Sequence, residues 1–93
     1  MKAKSSSTLV EPHLSFPELF AIASLWNSDQ VQLEQSEVES LSILLCSYAE
    51  DVLTDGQSLQ VAGTEVAKSE RRVVSVRYSS GVTYSLTRDP GAA

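Results

Sequence analysis

Cysteine, histidine and long apolar runs are what this 93-residue chain has least of, and each shortage removes a class of function. A single cysteine, Cys46, forbids an internal disulfide, whereas small secreted domains usually depend on several. One cysteine and one histidine cannot assemble the ordinary zinc sites. His13 is the only side chain with an ordinary pKa near neutrality, and it stands ahead of the first helical pattern, where it reads as solvated. No stretch approaches the ~18 consecutive apolar residues of a membrane helix. The first twelve residues hold no apolar segment of the kind a secretory signal needs. The protein is therefore expected to be cytoplasmic, with no membrane partner.

Sequence motifs that carry chemistry are missing as well. No G-x-G-x-x-G, P-loop or G-x-S-x-G pattern occurs, and the four glycines stand at turn-like positions. Cys46 falls beside an apolar stripe with no base near it to lower its pKa, the setting of a small buried hydrophobe. Glu37, Glu39, Glu50 and Asp51 fall on the polar side of a helix, and Asp51 and Asp55 lack the ligand spacing of a calcium loop. No catalytic, cofactor-binding or metal-binding residue is assigned, no cofactor is expected, and the chain is read as a non-enzyme.

What is present is the composition of a small acidic globular protein, 42% hydrophobic and 20% charged with a net charge of −5. At this length folding buries roughly 60 to 65% of the surface of the unfolded chain, enough for one modest core. The charge is two-sided. Residues 1–55 carry two bases against nine acids, and residues 56–93 carry five bases against three acids.

The strongest pattern is Ser36 to Thr54. Val38, Leu41, Leu45, Tyr48 and Val52 recur at steps of three and four, which places them on one helical stripe. Ser36 and Glu39 have capping-box spacing, and Gly56 stands where a left-handed residue would close the helix. A shorter helix is expected from Phe16 to Trp26, opened by Ser15 and Glu18 with Pro17 in the first turn, its inward face formed by Phe16, Leu19, Phe20, Ala23 and Trp26. Val31 and Leu33 read as a linker between the helices.

Past Gly56 the period changes to two. Leu59 and Val61 alternate with polar residues, and Val66 falls on the opposite parity. A β-bulge at Gly63 within one bent strand accounts for this. Val74, Val76 and Tyr78 then share one face, as do Val82, Tyr84 and Leu86. A three-residue loop of Ser79, Ser80 and Gly81 pairs Tyr78 with Val82, Val76 with Tyr84, and Val74 with Leu86; a two-residue loop would mix the faces.

These elements predict an α+β fold in which two helices pack on one face of a three-stranded antiparallel β-meander. Residues 1–13 form a flexible N-terminal tail, 14–89 the domain and 90–93 a C-terminal tail. The expected core is Leu19, Ala23, Trp26, Val38, Leu41, Leu45, Tyr48, Val52, Leu59, Val61, Val74, Val76, Tyr84 and Leu86.

Two stretches carry a resemblance. VQLEQSEVESLSILL is similar to the lead-in to the first helix of response-regulator winged-helix DNA-binding domains, and VVSVRYSSGVTYSL is similar to their wing hairpin. Between Gly56 and Arg72 no apolar-periodic stretch is long enough for a recognition helix, so the resemblance brings no base-reading residue to this chain.

Function is read from what is left over. Leu25 and Ile43 point away from the stripes of their helices and are the candidate partner-binding residues, for an unidentified protein or a second copy of the chain. The expectation is a small non-catalytic protein-interaction or regulatory subunit, with a homodimer as one form. The alternative is a nucleic-acid-binding domain using Lys68, Arg71, Arg72 and Arg77 on a basic hairpin, against which the acidic helical half and the edge-protecting use of such charges both weigh.

Overall fold

The computed structural model describes residues 10–11, 13–70 and 73–87. Most of the two expected tails, together with Arg71 and Arg72, lies outside them. Order nonetheless begins before Leu14. Val10, assigned to the tail, is buried, and the Leu14 N–H donates to the carbonyl of Glu11 at 3.3 Å.

Helix α1 runs Phe16–Asn27 and starts as its sequence prescribes. The Ser15 N–H donates to Glu18 Oε1 at 2.8 Å, and the Glu18 N–H donates to Ser15 Oγ at 3.4 Å. These bonds hold the Glu18 carboxyl below its ordinary pKa, the backbone N–H of Ser15 contributing most. Helix α2 runs Gln35–Val52 and begins earlier than expected. The glutamate three residues past an extended capping residue is Glu37, whose Oε1 accepts from the Glu34 N–H at 3.1 Å. Ser36 is thereby carried inside the first turn and does not cap.

Gly56 does not close α2 either. The Leu53 N–H still bonds Ala49 O at 3.0 Å, after which the chain extends. The terminal carbonyls are met by Lys68, whose Nζ donates to Glu50 O at 2.7 Å and Leu53 O at 3.1 Å, a cation at the negative end of the helix. Gly56, at φ +88°, belongs to the turn that leads into the sheet.

The sheet has four strands, not three. They are β1 (Gln57–Val61), β2 (Thr64–Lys68), β3 (Val73–Arg77) and β4 (Thr83–Thr87), all antiparallel and in that spatial order. The parity change at Gly63 comes from a chain reversal. Ala62 and Gly63 both adopt positive φ, 50° and 88°, the conformation of a two-residue hairpin turn, and they close Val61 against Thr64. The segment that would have to supply a recognition helix is thus a β-hairpin.

The β3–β4 hairpin has the expected register, with Val76 opposite Tyr84 and Val74 opposite Leu86. The Tyr78 N–H donates to Val82 O, and Gly81 takes φ +99°.

The helices cover one face of the sheet, over its middle. Leu41, Leu45, Cys46 and Ala49 of α2 and Leu19 and Ala23 of α1 are fully buried with Val66, Val74 and Val76. Phe16 stacks on Tyr48 at 5.0 Å, and Trp26 meets the edge of Tyr78 at 4.8 Å between ring centroids. Four residues expected in the core are exposed: Val52, Leu59, Val61 and Leu86. Val52 ends its helix, Leu59 and Val61 sit on edge strand β1, which the helices do not cover, and Leu86 sits on the other edge strand, β4.

Candidate functional site

Polar groups inside the fold are engaged in holding it. Ser42 Oγ donates to Val38 O at 2.7 Å, so its one proton is used, and the 2.8 Å contact with Tyr78 Oη has the tyrosine as donor. Burial pushes the Tyr78 phenol up to about 12 and the Cys46 thiol up to about 11. Neither group is a base or nucleophile near neutrality. Among the described residues no group of three or more His, Cys, Asp or Glu side chains is placed to hold a metal. No helix of the described residues is long and apolar enough to cross a membrane.

Of the candidate nucleic-acid residues, the two that are described are each engaged within the fold. Lys68 is 12% exposed at its side chain and is committed to the end of α2, with Glu50 Oε1 3.9 Å away. Arg77 is exposed but bonds its cross-strand neighbour Glu65 at 2.7 Å. Arg71 and Arg72 lie outside the described residues.

Leu25 and Ile43 are both exposed, at 39% and 43%. Ile43 borders a shallow recess of about 270 Å³ with Val10, Ser40 and Leu44. Leu25 lines neither that recess nor the larger one described next, so the two are not brought together in a common recess.

The larger recess lies elsewhere. Between α1 and β1 runs an open groove of about 510 Å³, walled by Phe16, Pro17, Phe20 and Ala21 on one side and by Leu59 and Val61 on the other. No charged side chain lines it. It exists because β1 extends the sheet one strand beyond the helices, leaving Leu59 and Val61 each 37% exposed on the face that β2 and β3 bury.

Asn27, the last residue of α1, fixes this geometry. Its Nδ2 donates to Thr64 Oγ1 at 2.8 Å and Ala62 O at 3.1 Å, and its Oδ1 accepts from the Ser79 N–H at 3.3 Å. The β1–β2 turn is thereby tied to the helix end and to the β3–β4 turn.

The outer edge of β1 is itself open: among the described residues no strand pairs with it. Its sequence, QSLQV, has no charge and no proline, the devices that usually blunt an edge. Sequence reasoning placed Leu59 and Val61 in the core and missed this site. The available signal was Gly63, where the parity change admits a chain reversal as well as a bulge. No protein-family model, curated protein or solved structure matches the chain.

Proposed function

We propose that the chain is a non-catalytic protein-interaction or regulatory subunit that accepts an extended polypeptide segment along the edge of β1. The observation that supports this most directly is the pairing of an uncharged open strand edge with an apolar groove beside it. Strand addition uses both parts: main-chain hydrogen bonds supply affinity, and a pocket for alternate side chains supplies selectivity. A charged or proline-bearing edge would oppose that use, and an edge without either favours it.

A photoreactive amino acid in place of Val61, in the chain expressed in its source cell, tests the reading. Adducts with a polypeptide are expected there and not from the same group at Ser85, on the polar face of the sheet. Failure to form any adduct at position 61 overturns the proposal.

A further inference from the structure

Resting on that reading, we infer that the segment which occupies the β1 edge is β1 of a second copy, giving a two-fold dimer with one continuous eight-stranded sheet.

The backbone decides which groups are free. A two-residue turn closes on a pair that exchanges both hydrogen bonds, so Val61, and by alternation Leu59, direct their N–H and C=O groups toward β2, while at the far end the Gln57 N–H is given to Thr54 O. The opposite end agrees, because Lys68 O is turned toward β1 and accepts from the Gly56 N–H at 2.6 Å. Ser58 and Gln60 therefore direct theirs out of the sheet.

Two antiparallel copies of this edge can align in three face-preserving registers, centred on Ser58, Leu59 or Gln60. Centred on Leu59, Ser58 of each copy lies opposite Gln60 of the other, and about four hydrogen bonds form within the strands. Centred on Gln60, Ser58 must instead meet Ala62, whose carbonyl already accepts from Asn27 and whose φ of 50° belongs to the turn. Centred on Ser58, Gln60 must meet Gly56, whose N–H already donates to Lys68 O and whose φ of 88° belongs to a turn, so the register centred on Leu59 is selected. It sets the two Leu59 side chains against each other as a close, non-hydrogen-bonded pair on the helix side.

The edge is complementary to itself in the register above, and charge admits a second copy as occupant. The chain carries a net −5, so two copies repel unless they meet on a neutral face. The β1 strand and the groove beside it are free of charged side chains. A two-fold axis normal to the sheet keeps both helical layers on the same side, and the two grooves then meet over the seam as one apolar space closed from water. Each copy supplies what the other leaves uncovered, namely half-exposed Leu59 and Val61.

Sedimentation velocity of the full chain over a concentration series, with amide exchange on the same samples, tests this. The expected result is a monomer–dimer equilibrium in which the Ser58 and Gln60 amides become protected as concentration rises, while Leu59 and Val61 are protected throughout. Gln60→Pro removes an outward N–H without touching the β1–β2 ladder and is expected to weaken the dimer by about tenfold or more. Val61→Lys should do the same should the proline disturb folding, and Thr83→Lys on the opposite edge should leave the dimer intact. A chain that is monomeric up to about 1 mM, or a dimer indifferent to both β1 substitutions, overturns the inference. Monomeric chain whose position-61 photoadducts contain another polypeptide overturns self-pairing alone. Monomeric chain with no adduct overturns the wider reading too.

Discussion

Strands β1 and β2 are paired residue for residue, yet they live in different surroundings. Val66 of β2 is fully buried, while Leu59, directly opposite it on the same face, is 37% exposed. Residue type and strand position are alike, so what separates them is the width of the helical layer. Two helices, α1 and α2, cover the central strands and stop short of the edge. No β1 side chain belongs to the buried core of the described residues, and Leu59 and Val61 are what the proposed partner would cover. On the proposed reading, stability and interaction are carried by neighbouring strands of one sheet.

The sharpest way to break that comparison is to damage the covered side. Leu45 is fully buried against the sheet, and Leu45→Ala should cost ~2 to 5 kcal/mol in urea unfolding, through lost transfer energy and the cavity left behind. A cost below 1 kcal/mol would mean that the helical layer is not what holds the centre.

A pH change reaches the same interior. Tyr78 has its folded pKa raised to about 12 from 10.0, chiefly by burial, and Cys46 to about 11 from 9.0 for the same reason. Both groups bind their protons more tightly when folded, so their contribution is fully present below pH 9 and is lost as pH rises toward 12. The Tyr78 share is about 3 kcal/mol. Unfolding free energy followed from pH 8 to 12 should fall steeply in the wild type and less steeply, between about 10 and 12, in Tyr78→Phe. Parallel curves would show that Tyr78 is not held in a dry environment.

Between the two regions stands Asn27, which ties the end of α1 to the β1–β2 turn and the β3–β4 turn through side-chain bonds to Ala62, Thr64 and Ser79. Asn27→Ala should cost ~1 to 2 kcal/mol, since the buried Thr64 hydroxyl loses its donor. Amide exchange should quicken first in β1 and its turn. Uniform acceleration across the sheet would show instead that the uncovered hairpin is not separately anchored.

Which of these features the sequence exposes follows from how local the physics is. The β3–β4 register is legible because three apolar pairs meet only when the loop has three residues, and Gly81 marks the residue with positive φ. The first helix is legible because Ser15, Pro17 and Glu18 act within one turn. The β1–β2 turn is harder to read, since a parity change at Gly63 fits a bulge as well as a reversal, and Ala62 at φ 50° is a residue type that gives no sign of it. Lys68 reads as one charge of a basic hairpin, yet it reaches 18 residues back to close α2, a long-range use no local pattern announces. The groove is the least legible feature of all. An alternating Leu59 and Val61 look the same whether or not a helix lies above them, and the width of the helical layer is written in neither strand.

The smallest expected effect is the one that sharpens the comparison most. Leu59→Ala, measured at a dilution where the chain is monomeric, should cost less than about 1 kcal/mol, because the side chain leaves an already half-open site and no closed cavity forms. At high concentration the same substitution should lower the melting temperature more, since a dimer seam built on Leu59 adds its binding free energy to the folded state. Wild-type melting should therefore rise with concentration, and the Leu59→Ala curve should rise less. A large loss at dilution would move Leu59 into the core of the monomer. Equal losses at both concentrations would leave β1 an exposed edge to which no second copy binds.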